Sequence, residues 1–133
     1  MKLCRYIDNL LFVLCLGAAQ ALHASDVVSS QNIGMELAQD IAYESVLACR
    51  KDGYSVSAVV VDRYGILRAA LRDDLAARFT LEIAERKANM TVMSWSDSGG
   101  AVGVSGAPGG ELDAACARQA LENLSERIEF AIE

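Results

Sequence analysis

A pair of carboxylates is the first feature of the chain that suggests chemistry. Apolar residues recur at helical spacing in Thr80-Leu-Glu-Ile-Ala-Glu-Arg-Lys-Ala88 and predict a helix that begins at Thr80. Glu82 and Glu85 then lie about one turn apart on one helix face. Such a pair can hold a hard cation or iron loosely at a surface, which makes it a candidate metal site. Because the sequence places no further ligand beside the pair, an ordinary acidic helix start is the favoured interpretation.

The sequence offers little for nucleophilic catalysis. A serine or cysteine triad needs a base, and the chain contains a single histidine, His23, which stands at a predicted processing site. Cys49 and Cys116 lie on the apolar sides of predicted helices. Buried free thiols are the favoured interpretation, and a disulfide is the alternative if those helices pack side by side in an exported protein.

The N-terminus is typical of an export signal. A basic start precedes the apolar stretch Leu10–Ala19, which is too short to span a bilayer. Ala19-Gln-Ala21 fits a small-x-small cleavage site, and Ala24 is a second candidate. We therefore expect residues 1–24 to be a signal peptide and residues 25–133 to form a single periplasmic or secreted domain. A retained membrane anchor is the alternative.

The charge of the chain limits its partners. Its formal net charge is −6 at pH 7, and an acidic domain repels nucleic acid and anionic lipid. We therefore expect no nucleic-acid partner and, after processing, no membrane partner. Any ligand is expected in an apolar cleft.

Apolar spacing also predicts the elements that position these residues. In chain order they are a helix over 31–52, strands over Ser55–Asp62 and Ile66–Arg72, a helix from Thr80 whose pattern fails after Met90, a strand over Ala101–Ser105 and a helix over 111–131. A tight turn containing Gly65 joins the first two strands, so they are expected to pair antiparallel. The order α-β-β-α-β-α predicts an α+β fold of two layers, an antiparallel sheet of about three strands packed with helices.

Three segments of the chain together match a known sequence pattern. They are Val56-Ser-Ala-Val-Val-Val-Asp62 with its turn, the helix start Thr80–Ala88, and Gly100-Ala-Val-Gly-Val-Ser-Gly-Ala-Pro-Gly-Gly110 with the helix that continues to Leu121. Together they resemble the GlcG/HbpS-like haem-binding family, and the last segment is the most specific. The resemblance implies a small α+β domain, often found outside the cytoplasm, with haem or a related tetrapyrrole as its ligand.

The chain departs from the family pattern between its second helix and its last strand. Family members usually carry a longer segment there, with a further strand, whereas Asn89–Ser98 is too short to hold both a helix end and a strand. We therefore expect a shortened domain with three strands. Such a sheet would leave apolar surface or an unpaired edge exposed, which favours association.

The resemblance implies particular ligand residues. Many family members carry a histidine just before the helix that begins at Thr80, and Phe79 occupies that position here, so histidine ligation of haem in the folded domain is not expected. Thr80 and Met90 are the remaining ligand candidates that we select. Arg86 and Lys87 lie in the matching segment and are candidates to pair with haem propionates. Ordinary core packing for Met90 and a solvated face for the two cations are the alternatives.

These observations lead to three functional hypotheses. The first is an exported protein that binds haem or a related tetrapyrrole without catalysis, as a homo-oligomer. The second is an interaction module that self-associates through its exposed sheet edge and has no ligand. The third, an enzyme that degrades haem or acts on a small acid metabolite, follows from family analogy alone and ranks last.

Overall fold

The computed structural model describes residues 30–94 and 99–132, and residues Gln31–Glu133 belong to one compact unit. Within the described residues the elements are, in chain order, α1 (Met35–Lys51), β1 (Ser57–Asp62), β2 (Leu67–Arg72), α2 (Thr80–Ser94), β3 (Gly100–Ser105), α3 (Gly110–Asn123) and α4 (Ser125–Ile132). None of the helices in this part of the chain is long and apolar enough to cross a membrane. The predicted signal peptide lies outside the described residues.

The sheet is antiparallel and has three strands in the order β2-β1-β3. All six residues of β1 are buried, as the nearly continuous valine run requires of a central strand. The β1–β2 turn is held by Asp62, whose carboxylate accepts hydrogen bonds from the backbone N–H groups of Tyr64 and Ile66, both at 2.9 Å. The α+β class, the strand number and the element order are therefore confirmed.

Helices cover both faces of the sheet, so the domain has three layers where the sequence predicted two. One face, which we call the disulfide face, packs against α1 and α3 through alternate β1 residues such as Ala58 and Val60. The other, which we call the α2 face, packs Val59 and Val61 against α2. The prediction missed this because consecutive buried valines can face two different helices while looking like one apolar run.

A disulfide joins the two helices of the disulfide face. Cys49 of α1 and Cys116 of α3 are bonded, with their Cα atoms 5.3 Å apart. The interpretation of these residues as free thiols is therefore wrong. Both cysteines do lie on the apolar sides of their helices, as predicted, and the alternative of helices packed side by side is the one that holds.

Several predicted boundaries differ from the structure. α1 begins at Met35, later than predicted, because the preceding segment is fixed to the sheet end by bonds from Ile33 to Gly99 and from Asn32 to Asp62. α2 continues to Ser94, past the point where its apolar pattern fails. The predicted final helix is two helices, because the backbone departs from helical geometry at Leu124, between residues of low helix propensity.

Candidate functional site

A groove runs along the outer edge of β3, between α2 on one side and α3 on the other. Its volume is about 380 Å³, within the usual range of roughly 300–1,000 Å³ for small-molecule sites. We call it the β3 groove, and it is lined by Lys87, Met90 and Thr91 of α2, Val102, Gly103 and Val104 of β3, and Gly110, Asp113, Ala114, Ala117 and Arg118 of α3. Its floor is therefore apolar and its rim carries charge.

The inner wall of the β3 groove is fixed by an ion pair between two elements. Lys87 Nζ lies 2.5 Å from Asp113 Oδ2 and donates a second hydrogen bond, at 3.0 Å, to the carbonyl oxygen of Val104. The other carboxylate oxygen of Asp113 accepts a hydrogen bond from the backbone N–H of Ala107 in the glycine-rich turn. Because Asp113 is buried and Lys87 is about one-third exposed, this contact positions the ammonium at the groove while keeping it accessible.

Two further side chains point to ligand binding at the rim. Arg118 has no ion-pair partner among residues 30–94 and 99–132, so its guanidinium is available to an anionic group. Met90 lines the groove and is 70% exposed, so its thioether is accessible from the groove. Together with Lys87 they surround the apolar floor with two cations and one thioether.

The structure brings only part of the predicted ligand set together. Lys87 and Met90 line the β3 groove, whereas Arg86 lies on the exposed side of α2 in an ion pair with Glu82, 2.5 Å from its Oε1. Thr80 is buried, donates to the carbonyl of Ala77 at 2.7 Å and shares a hydrogen bond of 2.8 Å with the Ser57 hydroxyl. Its hydroxyl is thus occupied within the fold.

The predicted metal pair remains two exposed side chains. Glu82 is engaged with Arg86, and Glu85 lies on the same helix with an exposed side chain. Within the described part of the chain, no cluster of three or more acidic, histidine or cysteine residues is arranged to hold a metal ion. Glu82 and Glu85 therefore stay a predicted weak site.

Arg118 and Asp113 are charged groove residues that the sequence analysis did not select. The final helix was interpreted only through its apolar stripe, which includes Cys116 and Ala120. Arg118 lies on a different stripe, together with Ala114 and Glu111. The only signal in the sequence was a single arginine beside Ala114 and Glu111 on this side of the helix, and its place at the same groove as Lys87 depends on tertiary packing.

Two other buried acids serve the fold. Burial raises the pKa of Asp62, but hydrogen bonds from the backbone N–H groups of Ile66 and Tyr64 and from Asn32 outweigh it and bring this pKa below its usual value. The hydrogen bonds from the Arg50 side chain to Asp73, at 2.7 and 2.8 Å, lower the pKa of that carboxyl against the opposing effect of burial. Both carboxylates are fully engaged away from the β3 groove.

The donor set of the groove suits a flat apolar ligand with carboxylates. Val102, Val104 and the alanines of α3 supply apolar contact, and Lys87 and Arg118 supply the cations that propionates need. Histidine is absent from the described residues, so the thioether of Met90 is the soft donor that the groove offers to a haem iron. These residues fit a tetrapyrrole held mainly by its faces and its carboxylates.

Comparison with known proteins identifies a matching family and a similar crystal structure. The family described as "Haem degrading protein HbpS-like" matches residues 33–99. The crystal structure of HbpS is similar to 78% of this chain over 98% of its own length, with 28% sequence identity and a TM-score of 0.65. Among curated proteins, none matches.

Two more distant structures share the fold. Protein ORFY of Klebsiella pneumoniae aligns with 77% of this chain and 97% of its own, with 21% identity and a TM-score of 0.70. PduOC, solved as a complex with haem, aligns with 68% of this chain and 94% of its own, with 18% identity and a TM-score of 0.59. At these identities the likeness concerns the fold alone.

Proposed function

Because the chain belongs to the HbpS-like family, we propose that it is an exported protein that binds haem or a related tetrapyrrole in the β3 groove. The observation that carries this proposal is an apolar floor with two cations at the rim, an accessible Lys87 and an Arg118 that has no ion-pair partner in the described part of the chain. Haem binding by PduOC, a protein of the same fold, supports it by analogy. In this proposal the protein retains the ligand and does not transform it.

Each groove residue has a distinct part in the proposed complex. The valines of β3 and the alanines of α3 contact the ring and exclude water from it. Arg118 forms the principal pair with one propionate, because its planar guanidinium matches a carboxylate and no acid among the described residues forms an ion pair with it. Lys87 contributes a second charge while it stays bonded to Asp113. Met90 presents sulfur to the metal.

A haem titration of the purified protein tests this proposal. We expect a saturable Soret shift, and we expect Arg118→Ala to weaken haem binding by about tenfold, the loss of one good charge pair. Arg86→Ala is the matched control, because it removes the same charge from the same surface region but outside the groove. Absence of any saturable shift would refute haem binding, and equal losses from both variants would refute the groove as its site.

The role of Met90 as an iron ligand is tested by the absorption spectrum of the haem complex. Met90→Leu keeps the size and apolar character of the side chain and removes the sulfur. We expect a displaced Soret band in the haem complex with an unchanged unfolding midpoint of the haem-free protein. An identical spectrum would exclude Met90 as an iron ligand and leave the charge pairing of Arg118 as a separate result.

The description of the family as haem degrading supplies the catalytic alternative. Incubation of the haem complex with a reductant such as ascorbate distinguishes the two functions. Retention predicts a haem spectrum that stays constant apart from reduction of the iron. Progressive loss of the Soret band with appearance of a product absorbance, beyond that of free haem under the same conditions, would show degradation.

Export and self-association complete the proposal. The signal-like N-terminus supports export, and the bond between Cys49 and Cys116 is of a kind that persists in oxidising compartments. Fractionation of expressing cells, with N-terminal sequencing, is expected to find a processed chain outside the cytoplasm. An uncleaved chain in the cytoplasm would refute export. Self-association through an exposed sheet edge is proposed for the haem-free protein.

A further inference from the structure

The outer side of α2 carries exposed side chains at the spacing of a helix–helix interface. Phe79 accepts the first helical hydrogen bond, from the N–H of Ile83, and the two side chains are 61% and 43% exposed. Arg86 and Met90 continue the same side of the helix and are also exposed. The steps of four, three and four residues repeat the spacing of the a and d positions of a coiled coil. We call these four residues the α2 stripe.

The fold of the single chain uses the opposite side of α2. Ala84 and Ala88 are fully buried against the sheet, and Thr80 at the start of the helix is buried with them. The α2 stripe points away from this contact, because residues three and four apart along a helix share a face. Large apolar side chains that recur on the solvent side of a helix mark an interaction surface.

The apolar surface continues beside α2 at the β1–β2 turn. A Cβ atom built on Gly65 would lie 2.5 Å from Oδ1 of Asn89, so the turn abuts the helix. Ile66 and Leu67 follow in this turn and are exposed. With the apolar members of the α2 stripe they present roughly 500 Å² of apolar surface per copy, toward the upper end of the patch sizes of monomers. Such an area approaches the ~800 Å² per partner of a stable protein–protein interface.

We propose that two copies of the chain associate through their α2 stripes, with the helices antiparallel about a two-fold axis. The stripe is self-complementary in this arrangement, because its residues are spaced symmetrically about its centre. Phe79 of each copy then faces Met90 of the other in a thioether–aromatic contact, and the two Ile83 side chains pack together near the axis. This proposal goes beyond haem binding and depends neither on the β3 groove nor on a sheet edge.

The charges beside the α2 stripe favour a second copy as its occupant. Glu82 lies on one flank of the stripe, and within one chain Arg86 bonds its carboxylate at 2.5 Å. The two-fold axis sets the same flanks of the two helices together, so Arg86 of each copy also lies beside Glu82 of the other. Four groups of alternating sign then surround the axis, and such a network is stronger than isolated surface pairs. An anionic lipid surface or an acidic peptide would meet Glu82 as a like charge.

Sedimentation equilibrium of the haem-free protein tests the proposal, and haem is omitted because Met90 also lines the β3 groove. We expect a wild-type dimer. Ile83→Asp places two like charges near the axis and is expected to raise the dimer dissociation constant at least about tenfold. Leu121→Asp in α3 is the matched control, because Leu121 is a helical side chain of similar exposure, 38%, outside the α2 stripe. It is expected to leave the dimer unchanged.

A charge exchange tests the antiparallel pairing separately. Glu82→Arg brings four cations together around the axis and is expected to weaken the dimer at least about tenfold. The double variant Glu82→Arg/Arg86→Glu restores the alternation of charge and is expected to restore the dimer. Glu126→Arg in α4 changes the charge of the chain by the same amount and is the matched control. Circular dichroism is expected to be the same for all these variants.

Several results would overturn the proposal. One is a wild-type protein that is monomeric at all concentrations, and another is a double variant that stays dissociated. A dimer that Ile83→Asp leaves intact would place self-association elsewhere, such as at a sheet edge. A monomer that binds phosphatidylglycerol vesicles, and loses this binding in Ile83→Asp, would assign the α2 stripe to a lipid surface. In each case a monomer that binds haem would leave the proposed ligand function intact.

Discussion

The two faces of the sheet are covered by different means. On the disulfide face two helices contribute a broad apolar cluster, with Ile41, Val46 and Val104 among its buried members, and a covalent bond joins the helices. On the α2 face a single helix packs against the sheet through the small residues Ala84 and Ala88. A Cβ atom built on Gly103 would come within 2.0 Å of the carbonyl oxygen of Ala84, so the helix backbone nearly touches the strand.

This difference has a physical consequence. The disulfide face gains stability from buried apolar area and from the restriction that a cross-link places on the unfolded chain. The α2 face gains stability from the close contact between the backbone of α2 and β3. Dispersion attraction across this contact is favourable only while no side-chain atom is added between the two backbones. The disulfide face should therefore tolerate small changes in side-chain size and lose stability when its cross-link is removed. The α2 face should lose stability when a single methyl group is inserted. The β3 groove lies at the edge of the sheet, between α2 of one helix layer and α3 of the other.

Removal of the disulfide is expected to have the largest effect. The bond joins residues with a sequence separation of 67, for which loop-closure entropy gives about 4 kcal/mol. We expect the Cys49→Ala/Cys116→Ala double variant to lose stability of this order in urea unfolding at neutral pH. Wild-type protein measured with and without a reductant provides the control. A loss below about 1 kcal/mol would show that helix packing alone secures this face.

Insertion of one methyl group tests the other face. Gly103→Ala would place a Cβ within 2.5 Å of the backbone nitrogen of Ala88 as well, so α2 must move away from the sheet. We expect a loss of about 1–3 kcal/mol, or more if the shift spreads. Gly110→Ala is the matched control, since nothing lies within 4 Å of its added Cβ. Similar unfolding midpoints for the two variants would refute the close contact.

The contrast between the faces also marks what could be predicted from the sequence. The valine run of β1 and the turn at Gly65 are local signals, and they predicted the hairpin and the antiparallel sheet correctly. Residue spacing also placed Cys49 and Cys116 on the buried sides of their helices. Residue spacing does not specify which helices become neighbours. The predictions of free thiols and of two layers were therefore wrong.

The candidate site shows the same limit. Lys87 and Met90 were selected because they lie in a recognisable helix, and both line the groove. Arg86 belongs to the same segment but lies outside the groove lining, with Glu82 as its partner. Arg118 comes from another helix, and only the packing of α3 beside β3 brings it to the rim. Contacts between elements distant in sequence leave no periodic signal.

A smaller effect is expected from the polar contact inside the α2 face. Thr80→Val keeps the shape of the side chain, leaves the buried Ser57 hydroxyl without this partner and removes one of the two hydrogen bonds to the Ala77 carbonyl, which costs about 1–2 kcal/mol. Thr91→Val is the control, because its hydroxyl bonds the Lys87 carbonyl at an exposed position. Haem affinity should not change in Thr80→Val. A large loss of haem affinity without a change in stability would restore Thr80 as a ligand.

The contact between Arg50 and Asp73 beside the disulfide face predicts a pH dependence. The Arg50 side chain lowers the pKa of Asp73 in the folded state, so this contribution to stability is complete above the unfolded pKa of about 4. It is lost as the pH falls through the lowered folded pKa. We expect Asp73→Asn to be less stable than wild type at pH 7, with a difference that shrinks below about pH 4. A difference independent of pH would contradict this linkage.

The smallest effect is expected at the exposed carboxylates of α2. Glu82→Gln removes an exposed ion pair with Arg86 and should change stability by less than about 0.5 kcal/mol. If the pair binds a cation, Glu82→Gln/Glu85→Gln should abolish weak ferrous iron binding measured anaerobically by calorimetry. Glu126→Gln/Glu129→Gln in α4 removes two acids at the same helical spacing and is the matched control. Equal losses from both double variants would identify nonspecific attraction of iron to an acidic surface, whereas a loss confined to Glu82 and Glu85 would give the exposed side of α2 a function separate from the β3 groove.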